Sequence, residues 1–194
     1  MGGIGKSTVA RLVFNLLNPT FEYSCFISDV KLKTGDICEE VLHAMHHYGE
    51  KMTNEERTWQ NLRGQKVLIV FDDIDKYQHL VILRDVASKV SSKESRYIVT
   101  SRDSALLGTL RSIPQLCEVE LYSVLLLDRS SARKLLLSYE VPDPPVEEFV
   151  DKVLDLCNGL PLSPEVIGSY LSRENKGKEG IWERSLAEFR HIDQ

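Results

Sequence analysis

The run G-G-I-G-K-S at residues 2–7 has the residue types that a phosphate-binding loop needs. It matches the end of the pattern G-x-x-x-x-G-K-[ST], whose first glycine would stand just before Met1. Glycines let successive backbone N–H groups face a phosphate, and a helix starting at Lys6 would direct its positive end toward the same anion. Lys6 would reach the β- and γ-phosphates of a nucleotide, and the Ser7 hydroxyl would bind Mg²⁺. The predicted nucleotide-binding residues in this segment are Gly2, Gly3, Ile4, Gly5, Lys6, Ser7 and Thr8. The alternative is a glycine-rich turn that caps an ordinary helix.

Paired carboxylates follow an unbroken apolar run, V-L-I-V-F, at residues 67–71. Such a run is typical of a central parallel strand, and open α/β sheets bind their ligands at the carboxyl ends of such strands. Asp72 is predicted to hold Mg²⁺ through water, and Asp73 to orient or polarise the attacking water as the catalytic residue. Acidic turns after strands are common, so this pattern gains specificity only from the upstream glycine-rich loop.

Another strand-like run, Y-I-V-T at residues 97–100, ends in Ser101 and Arg102. A guanidinium at this edge of a sheet can read a γ-phosphate, so Arg102 is predicted to act as a sensor. Without the other two motifs, a surface arginine beside a loop would be the preferred interpretation.

The segments that must position these motifs alternate between strand and helix patterns. Strands are predicted at residues 25–28, 67–71, 97–100 and 118–122, and helices at 6–17, 36–48, 55–63, 80–89 and 104–110. This alternation predicts an α/β fold: the parallel sheet of a P-loop NTPase, with its first strand missing. From Ser123 onward the pattern is helical, with helices predicted at residues 129–139, 146–157, 165–171 and 181–190. We therefore expect a P-loop nucleotide-binding domain over residues 1–122 and a small all-helical domain over residues 123–194.

Composition argues against several other classes of protein. The 24 basic and 29 acidic residues give a net charge of -5, which offers no broad attraction for nucleic acid or an anionic membrane. No apolar run approaches the roughly 20 residues of a membrane-spanning helix. The four cysteines lie far apart without a C-x-x-C pair, which favours reduced thiols in a cytoplasmic protein. His43, His46 and His47 have helical spacing but no suitably spaced fourth ligand, so a solvated helix face is favoured over a metal site.

Taken in order, four motifs closely resemble the NB-ARC module of plant intracellular NBS-LRR disease resistance proteins. The motifs are G-G-I-G-K-S, V-L-I-V-F-D-D-I-D, S-R-Y-I-V-T-S-R-D and C-N-G-L-P-L, and together they cover nearly the whole chain. Asp75 resembles the subclass with an N-terminal Toll/interleukin-receptor domain. The resemblance implies ADP or ATP with Mg²⁺ as ligands. It also implies that Pro161 lies over the nucleotide base and that Arg102 distinguishes ATP from ADP.

The same resemblance implies partners and exposes departures from the family pattern. The expected partners are the other domains of a longer receptor, an N-terminal signalling domain and C-terminal leucine-rich repeats, with oligomer formation on activation. The winged-helix domain and its Met-His-Asp motif are absent from this sequence. Ser163 and Pro164 stand where the family usually has Ala-Leu, and Pro164 is tolerated only near the first turn of a helix.

The leading interpretation is a slow ATP/ADP switch, in which ADP holds a closed resting state and ATP exchange releases it. Asp73 stands in place of the Glu of many fast ATPases and should activate water less well. One alternative is a metabolic P-loop phosphotransferase whose helical segment acts as a substrate lid, although no acceptor-binding groups are evident. Another is a truncated receptor fragment that no longer binds nucleotide, as the missing first glycine and first strand and Pro164 suggest.

Overall fold

The structure, a computed structural model, describes residues 2–45, 55–116, 118–139 and 147–174. The chain divides into two compact units. The first, the sheet unit, comprises Lys6–Ser123, and the second, the helical unit, comprises Met1–Gly5 together with Val124–Gln194. Whether residues 1–122 and 123–194 fold as separate domains stays a prediction.

The sheet unit is built on a parallel sheet with the strand order β1-β2-β3. In its register, Cys25 of β1 lies opposite Ile69 of β2, which lies opposite Tyr97 of β3. The strands are β1 (Tyr23–Ile27), β2 (Val67–Ile74) and β3 (Arg96–Ser101). The helices are α1 (Lys6–Leu17), α2 (Ile37–Met45), α3 (Glu55–Leu62), α4 (Tyr77–Val90) and α5 (Ser104–Gly108), with short 3₁₀ turns at Asn18–Thr20, Val30–Leu32 and Thr109–Ser112. A parallel sheet with helical connections confirms the predicted α/β fold class.

The central strand β2 is apolar because it is covered on both of its faces. Its residues from Val67 to Phe71 are at most 1% exposed. Helix α1 packs against β2 and β3, and α2 packs against β1. Helix α1 ends at Leu17, as the following Asn-Pro pair predicts, because a proline nitrogen cannot continue the helical hydrogen-bond pattern.

Residues 118–122, predicted as a strand, form no regular element, so that prediction is wrong. A strand needs hydrogen bonds to a neighbouring strand, and the β propensity of its side chains cannot replace them. Val119 packs against the core of the sheet unit, whereas Leu121 and Tyr122 are exposed. The strand-like residue types of this segment therefore reflect the partial burial of Val119 and not membership of the sheet.

Three helices make up most of the described part of the helical unit: α6 (Arg129–Leu137), α7 (Glu147–Cys157) and α8 (Leu162–Glu174). Helix α8 begins at Leu162 rather than at residue 165 because Pro164 fits its first turn, where a missing N–H removes no helical hydrogen bond. The helix predicted at residues 181–190 lies outside the described residues. The apolar residues buried between the three helices are Ala132, Leu136, Phe149, Val150, Val153, Leu154, Cys157, Ile167 and Leu171.

The turn between α7 and α8 depends on Gly159. Its φ of +72° lies in the left-handed region, and a Cβ there would stand 2.6 Å from the carbonyl oxygen of Leu127. The Leu127 N–H in turn donates to the Gly159 carbonyl at 2.8 Å, so these two segments cannot easily separate. We expect Gly159→Ala to lower the free energy of unfolding by about 2–3 kcal/mol.

Chemical denaturation would measure this effect, with Gly108→Ala as the control. Gly108 has φ −58°, and an added Cβ there would meet nothing within 4 Å. A loss for Gly159→Ala no larger than that of the control would contradict the assigned role of the turn.

Among the described residues, none of the helices is both long and apolar enough to cross a bilayer. The longest of them, α4, has 14 residues, whereas a spanning helix needs about 20.

Candidate functional site

The carboxyl end of β2 carries a bulge that contains both predicted acidic residues. Strands β2 and β3 are in register up to Phe71 and again at Ile74. Between these points Asp72 and Asp73 together oppose a single residue of β3, Thr100. Asp73 has φ +58°, a left-handed conformation that Asp adopts more readily than most residues. The bulge therefore interrupts the regular alternation of the strand where the two carboxylates occur.

The hydroxyl of Thr100 connects the two acidic residues. It donates a hydrogen bond to Asp72 Oδ1 at 2.5 Å and accepts one from the backbone N–H of Asp73 at 2.8 Å. Both Thr100 and Asp72 are buried, and Asp72 is only 5% exposed. One side chain thus fixes the orientation of the Asp72 carboxylate and the backbone of the bulge.

Asp72 has the chemistry that a magnesium ligand requires. Its Oδ1 accepts from Thr100, and no buried side-chain polar atom of the described residues lacks a hydrogen-bond partner. The described residues contain no cluster of three or more His, Cys, Asp or Glu that could hold a metal. Mg²⁺ commonly binds one or two carboxylates and takes its other ligands from phosphates and water, so Asp72 and the exposed Ser7 hydroxyl fit this ion.

Asp73 lies between two cationic side chains. Lys31 Nζ forms a close ion pair with Oδ2 of Asp73, and Arg102 Nε lies 3.6 Å from Oδ1. The Asp73 side chain is 14% exposed, whereas that of Arg102 is 57% exposed. Lys31 is therefore the closer and more sheltered counter-ion of this carboxylate, and Arg102 is held more loosely.

The segment that carries Arg102 is fixed on both sides of that residue. The Ser101 hydroxyl donates to the carbonyl of Ile74 at 2.7 Å and accepts from the N–H of Asp103 at 3.0 Å. Asp103 caps α5 by accepting from the N–H groups of Ala105 and Leu106. The backbone is thus anchored, while the guanidinium of Arg102 stays mostly in solvent.

Helix α1 begins at Lys6, as predicted, and its first turn supplies the other candidate residues of the sheet unit. Lys6 is half-buried, whereas Ser7 and Thr8 are exposed. Ala10 is buried, and the helix contacts β2 and β3. A helix of 12 residues has the aligned N–H groups that favour an anion at its N-terminus.

The glycines that precede α1 belong to the helical unit. Gly3 has φ +71° and Gly5 has φ +90°, conformations that glycine adopts without strain. The Gly3 carbonyl accepts a hydrogen bond from the N–H of Leu162 at 3.2 Å, which satisfies one of the first N–H groups of α8. A Cβ on Gly3 would lie 2.9 Å from the Cβ of Leu162, so this position has no room for a larger residue. The nucleotide contacts predicted for Gly2, Gly3, Ile4, Gly5 and Pro161 stay predictions.

The sequence motifs do not predict roles for Lys31 and the Thr100 hydroxyl, which are parts of the candidate site. Lys31 lies in the 3₁₀ turn Val30–Leu32 that follows β1, and β1 pairs in parallel with β2. Because the carboxyl ends of neighbouring parallel strands meet at one edge, a basic residue shortly after β1 was the signal that could have found it.

Asp75 and the described histidines of the sheet unit lie apart from the candidate site. Burial lowers the pKa of His79, which favours its neutral form, and its Nδ1 accepts a long hydrogen bond of 3.5 Å from the N–H of Asp75. His43 is exposed and lies 3.6 Å from an acidic side chain one turn earlier. His46 and His47 lie outside the described residues.

Comparison with known proteins identifies the family. The model of the NB-ARC domain matches residues 1–136, well over half of the chain. TMV resistance protein N of Nicotiana glutinosa is 31% identical over 88% of this chain and 16% of its own length. Disease resistance protein RML1B of Arabidopsis thaliana is 31% identical over 93% of this chain and 18% of its own length. Disease resistance protein RPV1 of Vitis rotundifolia is 27% identical over 90% of this chain and 13% of its own length. This chain thus spans less than a fifth of the length of these relatives.

The motif residues, the parallel sheet and the family match agree. The chain therefore belongs to the NB-ARC domain family, a P-loop nucleotide-binding module found in plant disease resistance proteins.

Proposed function

We propose that this module is a switch operated by ATP and ADP, with an ADP-bound resting state and slow ATP hydrolysis. The observation that carries the proposal is the environment of Asp73, whose carboxylate oxygens face Lys31 and Arg102. This carboxylate stands beside Asp72 at the carboxyl edge of the sheet, where open α/β sheets bind ligands. A carboxylate held in a close ion pair with Lys31 suits infrequent hydrolysis better than rapid turnover.

The residues of the sheet unit divide the work of binding. Lys6 neutralises the β- and γ-phosphates, Thr8 contributes to the anion site at the start of α1, and Ser7 and Asp72 bind Mg²⁺. When bound, Mg²⁺ neutralises phosphate charge. The remaining proposed contacts rest on the family motifs alone and come from Gly2, Gly3, Ile4, Gly5 and Pro161.

Arg102 is proposed to distinguish ATP from ADP. Its guanidinium is 3.6 Å from Asp73 and mostly exposed, so it is free to exchange a loose ion pair for a stronger one. A γ-phosphate offers a guanidinium charge-assisted and bidentate hydrogen bonds. Only ATP carries that phosphate, and ADP therefore leaves Arg102 with Asp73.

The proposed setting is a plant innate immune receptor in the cytoplasm. Its named relatives are resistance proteins that are more than five times longer than the part this chain matches. The proposed partners are an N-terminal signalling domain of the Toll/interleukin-receptor type and C-terminal leucine-rich repeats. Activation would then couple the nucleotide state to assembly of an oligomer.

Nucleotide content and turnover together test this function. The purified chain is heat-denatured, and the released nucleotide is identified by chromatography, while ATP turnover is measured on a separate native sample. We expect ADP to be released and turnover to stay below about one per second, at the lower limit of typical enzymes. No nucleotide from a folded sample would support the non-binding fragment, and turnover of tens per second would contradict the slow switch. Faster ADP release with a small-molecule phosphate acceptor would instead favour a phosphotransferase.

A further inference from the structure

The ion pair between Lys31 and Asp73 is the closest contact made by the candidate catalytic carboxylate. Lys31 Nζ lies against Oδ2 of Asp73, and the two side chains are 26% and 14% exposed. Partial burial reduces the screening of such a pair by water and salt, so it is stronger than an ion pair on an open surface. Arg102, at 3.6 Å and 57% exposed, is the weaker of the two restraints.

The backbone around Lys31 holds its side chain in this position. Val30, the preceding residue, is fully buried in the core of the sheet unit. The turn is closed by hydrogen bonds from Leu32 N–H to the Asp29 carbonyl at 2.9 Å and from Lys33 N–H to the Val30 carbonyl at 3.1 Å. Because β1 is paired with β2, the turn that follows β1 is fixed relative to the bulge that carries Asp73.

We propose that Lys31 is a positioning residue that restrains ATP hydrolysis by holding the Asp73 carboxylate in this ion pair, an inference that rests on the proposed function. In hydrolysis, the oxygen of water bonds to the γ-phosphorus while the bond from that phosphorus to the β,γ-bridging oxygen breaks. ADP leaves with the electron pair of the broken bond. The proton lost by the water passes to the carboxylate of Asp73 and then to solvent. Lys31 opposes this transfer because its ammonium still occupies one oxygen of the Asp73 carboxylate when Arg102 has turned to the γ-phosphate.

The chain provides a matched control two residues further on. Lys33 is 25% exposed, close to the 26% of Lys31, and its Nζ pairs with Glu40 at 2.6 Å instead of with Asp73. Lys33→Met and Lys31→Met therefore remove the same charge and one ion pair from the same segment. Lys31→Met frees the carboxylate of Asp73, whereas Lys33→Met frees that of Glu40.

The test measures the single-turnover rate of ATP hydrolysis at saturating ATP, together with the dissociation constant for ADP. We expect Lys31→Met to hydrolyse ATP roughly tenfold faster, a fraction of what general-base catalysis can contribute. ADP affinity should change by less than about twofold, since Lys31 acts through Asp73.

Lys31→Arg and Lys33→Met should keep the rate of the unsubstituted chain, and Asp73→Asn should cancel the gain of Lys31→Met. Lys31→Gln, which keeps a polar side chain, serves the same purpose if thermal denaturation shows that the methionine variant is poorly folded.

The two measurements separate the possible failures. A Lys31 variant that binds ADP normally and hydrolyses ATP no faster would overturn the role of Lys31 and leave the switch intact. If the unsubstituted chain binds no ADP, the proposed function and this inference both fail.

Discussion

Replacing Lys6 by alanine is expected to weaken ADP binding on the order of 100-fold, or about 2.7 kcal/mol. Lys6 is the first residue of α1, at the end of the helix where backbone N–H groups favour an anion. A hydrogen bond between two charged groups contributes about 1.5–3 kcal/mol, and one lysine can contact two phosphates. The alanine also removes a charge that the helix end cannot replace.

Isothermal titration with ADP and Mg²⁺ would measure the change, and Lys93→Ala is the matched control. Lys93 is exposed to solvent, and because it precedes β3 it lies at the amino end of the sheet. Its removal changes the net charge equally and should leave the dissociation constant within about twofold. Equal effects of the two substitutions would reduce the role of Lys6 to general electrostatics and remove the phosphate site from the start of α1.

The parts of the fold that the sequence predicts well are those with local causes. Helix α1 begins at Lys6 and ends at Leu17, as predicted, because the glycine before it and the Asn-Pro pair after it limit the helix through the adjacent backbone. The position of β2 follows equally from its uninterrupted apolar run. Its length does not: the strand continues through Asp72 and Asp73 to Ile74, because the bulge keeps pairing with β3 after two polar residues.

What the sequence does not reveal depends on pairing between distant segments. Lys31 and Asp73 are 42 positions apart, and only the parallel pairing of β1 with β2 brings them together. The prediction of a strand at residues 118–122 is wrong for the same reason. A strand requires a neighbouring strand, which the residue types of the segment itself cannot specify. Residue type thus predicts the kind of chemistry at the carboxyl edge of the sheet, whereas the counter-ions of Asp73 have to be read from the structure.

Replacing Thr100 by valine is expected to lower the free energy of unfolding by about 3 kcal/mol, although the two side chains have nearly the same shape. The hydroxyl donates to Asp72 Oδ1 at 2.5 Å and accepts from the N–H of Asp73 at 2.8 Å. Valine would leave a buried carboxylate oxygen and a backbone N–H without these partners, and each unsatisfied group costs about 1–3 kcal/mol. Relaxation of the bulge toward solvent would recover part of that cost.

Thr100→Ser is the control because it keeps the hydroxyl and removes only the methyl group, which should cost about 1 kcal/mol. Urea denaturation of the three proteins measures the difference in stability. If valine and serine destabilise the chain equally, the hydroxyl is not what holds the bulge together.

If valine causes the larger loss, Mg²⁺ should also improve ATP binding less in the valine variant than in the serine variant, since Asp72 would no longer be fixed in the orientation that a metal ligand needs. Thr100 would then connect stability and nucleotide binding through one hydroxyl, which donates to the proposed metal ligand and accepts from the backbone of the proposed catalytic residue.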